Sequence, residues 1–269
     1  MPASPIIKLS SPATKGYWEI PILFEDDALL AIDKPSRLLV SPDRYDVMRP
    51  NIMRLLHNDI ARGAKWVQER GLNYIANVHR LDFETSGVLL LVKTKPALIH
   101  VANQFGSELA KKAYLALVAG APEQDQFDDN AKLGHHPTKV GIVRVDEKNG
   151  KKSYTAFEVI ERFKGYAYLR CRPRTGRTHQ IRVHLQHRGL PILGDTLYGG
   201  RELLLSKLKK DYHLKRGKTE RPLIDRVALH SHELRVTHPV TGAEVVITSP
   251  LPHDMEVALK MLRRHVSAA

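Results

Sequence analysis

The sequence lacks several features that would assign it to other classes of protein. It has one cysteine among 269 residues, which excludes an intrachain disulfide and a zinc site built on CxxC pairs. No run of about eighteen consecutive apolar residues occurs, so we expect no transmembrane helix, and residues 1–15 carry no apolar run suited to a signal peptide. Neither a GxGxxG turn nor an HExxH motif is present, which argues against a dinucleotide-type cofactor and a zinc protease. We therefore expect a cytoplasmic protein without a metal site.

Positive charge is what the sequence has in excess. Forty-two Lys and Arg stand against twenty-nine Asp and Glu, a formal net charge of +13. In a folded protein this excess favours a polyanionic partner, although ribosomal proteins and membrane-surface binders share it. Residues 170–188 hold six arginines and no acid, and residues 201–221 hold eight Lys and Arg against three acids. The second stretch predicts an exposed basic insertion at about 201–226, which either contacts RNA phosphates or is merely solvated.

Apolar periodicity predicts an α+β fold, with a mostly antiparallel mixed sheet flanked by helices. Asn149-Gly150 and Lys164-Gly165 predict turns between strands, and Asn149-Gly150 is typical of a hairpin. The predicted strands are two within 22–39 and one each at 87–92, 112–118, 140–145, 153–162, 166–171, 228–236 and 244–248. The predicted helices are 51–62, 95–109, 178–187 and 253–264.

The length fits one large domain or two small ones. The N-terminal segment is rich in proline and serine, which predicts a flexible leader over 1–16. We expect a single catalytic domain over 17–265 to follow it.

The stretch VHRLDFETSGVLLLVK at 78–93 sets a polar cluster against an apolar strand. A loop of this kind can be held still by the rigid strand that follows it. Asp82 is the candidate catalytic carboxylate. The alternative is a turn in which Arg80 and Asp82 pair with local backbone groups.

HRLD followed by ETSG resembles the signature of the RluA-type pseudouridine synthases, in which the aspartate is the nucleophile. Three further stretches match that family in order and rough spacing: KKAYLALVAG at 111–120, RTGRTHQIRVHLQHRGLPILGDTLYG at 174–199 and LHSHELRVTHPVTG at 229–242. The resemblance covers the chain from about 25 to 252 and implies the pseudouridine synthase catalytic fold. One departure is Ser36-Arg37, where the family usually has a glycine after the lysine-proline turn.

The resemblance also implies roles for individual residues. Asp82 would start the reaction, either by attacking the anomeric carbon of the ribose or by taking a proton from its neighbour. Arg182 would keep that carboxylate ionised and oriented; the alternative for it is a phosphate contact. Tyr114 would stack on the uracil, the alternative being a half-buried strand tyrosine that caps the core. Arg80 would hold the RNA open where the base has left the stack.

Thr85, Arg177 and His179 are the other residues expected to bind the substrate. The expected substrate is structured RNA, ribosomal or transfer RNA or both, because a base must leave its stack before the ribose carbon can be reached. Isomerisation consumes no donor, so no cofactor is expected, and we expect a monomer. The adjacent His135 and His136 cannot share one face of an element, which indicates surface or RNA-contacting residues rather than a metal pair.

Two other functions compete with this interpretation. A non-catalytic RNA-binding or ribosome-associated protein with this fold would also explain the charge. A zinc-dependent base deaminase requires a cysteine pair and an H-x-E element. Because Cys171 stands alone, the deaminase is excluded and the non-catalytic binder remains as the alternative.

Overall fold

The computed structural model describes residues 5–43, 46, 48–214 and 217–268. Positions 1–4 of the predicted leader and positions 215 and 216 of the predicted insertion lie outside the described residues. The chain divides into two compact units: a first unit of residues 1–112 and 231–250, and a second unit of residues 113–230 and 251–269. The single domain expected over 17–265 stays a prediction.

Runs of strands are separated by helices along the described ranges, and the strands within residues 111–173 follow one another without a helix between them. The strands are β1 (Ile6–Ser11), β2 (Gly16–Glu25), β3 (Leu29–Lys34), β4 (Ala76–Asn77), β5 (Ser86–Val92), β6 (Lys111–Ala119), β7 (Gln126–Asp129), β8 (Leu133–His135), β9 (Val143–Val145), β10 (Thr155–Phe163), β11 (Tyr166–Pro173), β12 (Leu229–Thr237) and β13 (Glu244–Thr248). The helices are α1 (Ile52–Ala61), α2 (Lys65–Gln68), α3 (Lys95–Gly106), α4 (Gln180–His187), α5 (Leu205–Leu208) and α6 (His253–His265).

In the first unit the strands follow the order β1-β2-β3-β5-β12, and β13 pairs with β12. The pairs β1–β2, β2–β3, β3–β5 and β12–β13 are antiparallel. All seven residues of β5 are buried, as expected for an uncharged apolar run inside a sheet. Ala97 and Val101 of α3 pack against this core. The strand that carries the Asp82 loop is therefore a rigid support.

In the second unit the order is β6-β11-β10-β7, and all three pairs are antiparallel. Strands β8 and β9 form a separate antiparallel hairpin. Helix α4 contributes Ile181 and Leu185 to the core of this unit, and α6 contributes Met255 and Leu259. Each unit thus combines an antiparallel sheet with flanking helices, which confirms the predicted α+β class.

Part of the predicted leader is a strand. Residues 6–11 form β1, in which Ile7 and Leu9 are 1% and 0% exposed and alternate with exposed residues. This alternation is the pattern of a strand with one buried face. The prediction of a flexible leader is therefore wrong for these residues, because burial of the two aliphatic side chains outweighs the flanking prolines.

The predicted turn at Asn149-Gly150 does not join two paired strands. Gly150 donates its N–H to the carbonyl of Asp146 (2.8 Å), so the turn folds back on itself. Strand β9 covers only Val143–Val145 and pairs with β8, whereas β10 pairs with β7 and β11. The predicted hairpin is wrong because the pairing partners come from elsewhere in the chain.

Burial differs from the prediction in three other places. Helix α3 ends at Gly106, which leaves Leu109 outside it and 67% exposed. Every residue of α4 from Gln180 to Leu185 is buried, not only its apolar positions. The predicted exposed insertion at 201–226 places Leu203, Leu208 and Ile224 in the core of the second unit. The insertion is therefore not wholly exposed, because these three aliphatic side chains are buried between its charged residues.

Candidate active site

Asp82 lies in the loop that leads into β5, in the first unit. The carbonyl of the next residue, Phe83, accepts the N–H of Arg37 (2.7 Å) and the Nζ of Lys34 (3.3 Å). Lys34 is fully buried, and its Nζ also donates to two carbonyls of the turn after β3 (2.9 and 2.7 Å). A buried ammonium group requires such acceptors. The backbone next to Asp82 is thereby tied to the turn after β3.

Arg37 adopts the left-handed conformation that glycine favours, with φ at 60°. Arg37 belongs to the Ser36-Arg37 pair at which the sequence departs from the glycine of the resembled family. An L-residue with a side chain takes this conformation at a cost of roughly 1–2 kcal/mol. The turn that contacts Phe83 therefore forms here with an arginine, whose Nε lies 4.0 Å from Glu84.

His79 holds the start of the same loop. Its ring stacks on Phe105 with centroids 4.9 Å apart, and its Nε2 accepts the N–H of Leu90 in β5 (2.9 Å). Desolvation lowers the pKa of His79 to about 3, and the positive charge of Lys112 adds to the effect. His79 is therefore a neutral hydrogen-bond acceptor at physiological pH.

The predicted residues of the first unit differ in exposure. Arg80 is exposed, Asp82 is half-buried and Thr85 is 2% exposed. The N–H of Thr85 donates to the carbonyl of Asp82 (3.2 Å). Gly87 follows with φ at 108°, and a Cβ there would lie 2.2 Å from the carbonyl oxygen of Ser231. Only glycine permits this close approach of β5 to β12.

Arg182 lies on α4 in the second unit and is held by a buried carboxylate. Its Nε is 2.7 Å from Oδ2 of Asp195 and its Nη2 is 2.8 Å from Oδ1. The face of the guanidinium lies 4.9 Å from the ring centre of Tyr198. Sequence reasoning did not single out Asp195 or Tyr198, although both stand in the GDTLYG end of the quoted 174–199 block.

His179 and Arg177 precede α4. His179 is half-buried in a left-handed conformation (φ 54°, ψ 17°), with Nδ1 at 2.8 Å from the hydroxyl of Tyr198. Arg177 is exposed, and its Nε donates to the carbonyl of Lys152 (3.1 Å). His179 and Arg182 therefore both contact Tyr198.

Two further polar residues of the arginine-rich block are structural supports. The Oε1 of Gln180 accepts the Thr175 hydroxyl (2.7 Å), and its Nε2 donates to the hydroxyl oxygen of Thr155 (3.0 Å). His184 is fully buried and hydrogen-bonds Thr155 through Nδ1 (2.9 Å). Burial lowers the pKa of His184. These contacts fix the loop before α4 to strand β10.

Tyr114 is half-buried on β6, opposite Cys171 of β11, and packs against the core of the second unit. This position is compatible with a stacking surface and with a core-capping tyrosine. Its role stays a prediction.

The described residues form neither a metal site nor a membrane-spanning helix. No group of three or more His, Cys, Asp or Glu in the described ranges could hold a metal ion. No described helix is long and apolar enough to cross a membrane. His136 uses its Nδ1 to accept the N–H groups of Thr138 (3.3 Å) and Lys139 (3.1 Å), so it serves the β8–β9 turn.

Comparison with known proteins identifies the class. A family model described as RNA pseudouridylate synthase matches residues 28–187. The chain is 38% identical over 245 residues to ribosomal large subunit pseudouridine synthase D of Nitrosomonas europaea, covering 90% of this chain and 65% of that protein. It is 36% identical over 248 residues to the protein of the same name from Xanthomonas campestris, covering 92% and 71%. The chain belongs to the RNA pseudouridylate synthase family.

Solved structures agree at the level of the fold. Human RNA pseudouridylate synthase domain containing 4 matches with a TM-score of 0.68 and 24% identity over 90% of this chain and 92% of that one. Human RNA pseudouridylate synthase domain containing 1 matches with a TM-score of 0.63 and 23% identity over 93% and 89%. The solved structures confirm the predicted catalytic fold, and the family model and the two relatives confirm the predicted family and enzyme class.

Proposed function

We propose that this protein converts a specific uridine of ribosomal RNA to pseudouridine, with Asp82 as the residue that starts the reaction. The proposal rests on the family, on the name of the relatives from N. europaea and X. campestris, and on a net charge of +13 that suits an RNA partner. Transfer RNA as a further substrate, a monomeric enzyme and action in the cytoplasm belong to the same proposal.

The reaction is an isomerisation that neither gains nor loses atoms. The bond from N1 of uracil to C1′ of ribose breaks, the base turns, and a bond from C5 to C1′ forms. The hydrogen on C5 is lost as a proton, and N1 gains one. An ionised Asp82 can add to C1′ or remove the proton on C2′. The balance requires no cofactor.

The rigidity of the Asp82 loop is the observation that carries this proposal. Phe83 is tied by Lys34 and Arg37, and Gly87 lies directly against β12. A catalytic carboxylate must be held in place before the substrate arrives, because positioning supplies much of the rate. Asp82 combines such a fixed backbone with partial exposure to solvent.

The other predicted residues take supporting roles in the proposal. Tyr114 supplies a ring for the everted uracil, and Arg182 a cation for the catalytic carboxylate. Arg80, which is exposed, holds the RNA open where the base has left the stack, and Arg177, also exposed, binds the RNA. Thr85 was predicted to bind the substrate; because it is 2% exposed, its role in the proposal is to support the loop in place of contact with RNA.

His179 completes this set as a substrate-binding residue beside Arg182 that contacts the everted nucleotide, whereas the overall RNA affinity comes mainly from phosphate contacts made elsewhere. Base eversion costs a few kcal/mol and least at a loop or bulge, which favours an unpaired uridine as the target.

Asp82→Asn tests the proposal. The amide keeps the shape of the side chain and cannot add to C1′ or accept the proton, so turnover should fall by on the order of 10⁴ or more. Pseudouridine formed in an unmodified transcript of large-subunit ribosomal RNA is the measurement, with RNA affinity measured in parallel. Affinity should change little.

Asp27→Asn is the matched control, because Asp27 is an exposed aspartate of the same unit outside the loop. It should retain full turnover. Activity retained by Asp82→Asn would instead favour the non-catalytic RNA-binding alternative. Mapping pseudouridines in RNA from cells with and without the protein would then identify the uridine that is modified.

Trapping separates the two chemical routes. A covalent complex between protein and RNA that Asp82→Asn abolishes supports attack on C1′. An unsaturated sugar intermediate without a covalent complex supports removal of the C2′ proton.

A further inference from the structure

Tyr198 lies at the point where three parts of the second unit meet. It ends the short turn Thr196–Tyr198 and is 7% exposed. Its hydroxyl oxygen accepts the N–H of Val143 in β9 (3.0 Å) and hydrogen-bonds Nδ1 of His179 (2.8 Å). Its ring lies 4.9 Å beneath the guanidinium of Arg182. One side chain therefore contacts the β8–β9 hairpin, the loop before α4 and the arginine on α4.

The same short turn fixes Arg182 in two directions. Asp195 holds the edge of the guanidinium through two hydrogen bonds, and Tyr198 lies against its face. A planar cation with a paired edge and a stacked face has little freedom to rotate. Its orientation is therefore set within the protein, before RNA binds.

His179 requires a partner to keep its backbone conformation. A residue with φ at 54° persists only where the surroundings hold it. Its side chain makes no capping bond to α4 and instead meets Tyr198, edge to face, with ring centroids 5.6 Å apart. The Tyr198 hydroxyl thus supports the strained residue three positions before Arg182.

We propose that Tyr198 is a positioning residue for pseudouridine formation, acting through His179 and Arg182. This inference rests on the proposed function, since it assigns Tyr198 to the support of residues proposed to act there. Removal of the hydroxyl leaves the ring beneath Arg182 and releases His179 and Val143. The chemical step should therefore slow while RNA binding is retained.

Tyr198→Phe is the test, and Tyr166→Phe is its matched control. Tyr166 belongs to the same unit, and its ring also lies beneath an arginine, Arg201, at 5.1 Å. The single-turnover rate on the ribosomal RNA transcript should fall about 10-fold in Tyr198→Phe, the size expected when a buried hydrogen bond is lost. The dissociation constant for RNA should stay within about 2-fold, and Tyr166→Phe should match the unaltered protein in both.

A double substitution shows whether the hydroxyl acts through His179. If it does, Tyr198→Phe combined with His179→Ala should be no slower than His179→Ala alone. If the loss of rate in the double variant equals the product of the losses in the two single variants, the proposal is overturned. A Tyr198→Phe rate equal to that of Tyr166→Phe would overturn it as well. A rate loss matched by an equal loss of RNA affinity would also overturn it.

A second readout does not require activity. The imidazole nitrogen signals of His179 in NMR should shift in Tyr198→Phe and stay unchanged in Tyr166→Phe. Unchanged signals would overturn the proposal even for an inactive protein.

The proposed function fails separately, when the unaltered protein leaves every uridine of the transcript unmodified. Should Tyr198→Phe fail to fold, the NMR and rate comparison moves to Tyr198→His, which keeps a ring and a polar group.

Discussion

Arg182 forms an ion pair with a carboxylate that is more deeply buried than the arginine itself. Asp195 is 1% exposed and takes the Nε and Nη2 edge of the guanidinium. Removing one partner of such a pair typically costs about 3–5 kcal/mol, because the other charge is left buried. Asp195 therefore fixes where Arg182 points. The predicted role of Arg182 depends on that orientation as well as on its charge.

His79 makes the stability of the protein depend on pH. Its folded pKa is lowered to about 3, so between pH 3 and about 6.5 the unfolded chain binds a proton that the folded protein does not. The stability it contributes is complete above about pH 6.5 and is lost as the pH falls toward 3. This part of the free energy of unfolding should fall by at most roughly 1.4 kcal/mol per pH unit.

Urea unfolding between pH 4 and pH 7 measures this dependence. His79→Gln retains an acceptor for the N–H of Leu90 and cannot titrate, so its free energy of unfolding should depend less steeply on pH. His253→Gln is the control, because the side chain of His253 is 90% exposed, and it should follow the unaltered protein. Equal slopes for all three proteins would contradict the assigned pKa.

At the scale of single residues, the sequence indicated the groups that we propose for the chemistry but not the residues that hold them in place. Asp82 and Arg182 could be found because they stand in short motifs. The pairing of Arg182 with Asp195 joins residues thirteen positions apart, and nothing in the spacing specifies it. Only the fold brings the GDTLYG turn beneath α4.

Strand β1 shows how an element escapes prediction. Residues 6–11 contain two buried aliphatic positions in a segment flanked by Pro5 and Pro12. Six residues are too few to reveal the alternation in a proline-rich context, and the strand forms by pairing with β2. By contrast, β5 and α6 were predicted closely, because a long apolar run and a helical repeat are local properties.

Ile7→Ala tests whether β1 belongs to the core. Ile7 is 1% exposed, so truncation should lower the free energy of unfolding by about 2–5 kcal/mol. Ile6→Ala is the matched control in the same strand, because Ile6 is 45% exposed and should change stability by no more than about 0.5 kcal/mol. Chemical denaturation of both variants gives the comparison. Similar small losses in the two would mean that β1 is not part of the folded core.

The positive charge of the whole molecule is only partly available to RNA. Arg170 and Arg172 share Glu158, at 3.2 and 2.6 Å, and hydrogen bonding to Arg172 is the main cause that lowers the pKa of Glu158. Arg182 is paired with Asp195. Arg188 lies 3.6 Å from Asp129. At least four of the six arginines of 170–188 thus contact acids, and the number of phosphates the protein neutralises must be smaller than its count of basic residues suggests.

The dependence of RNA affinity on salt measures that number. If six phosphates are contacted in single-stranded regions, a plot of log affinity against log salt concentration should have a slope of roughly −4. Lys209→Gln with Lys210→Gln neutralises two exposed lysines of the 201–226 insertion, and the slope should become shallower by about 0.7 for each one that contacts a phosphate. An unchanged slope would mean that these two lysines of the insertion are solvated and contact no phosphate. A flat response in the unaltered protein would instead mean that the net charge of +13 serves something other than RNA, because phosphate neutralisation must release counterions.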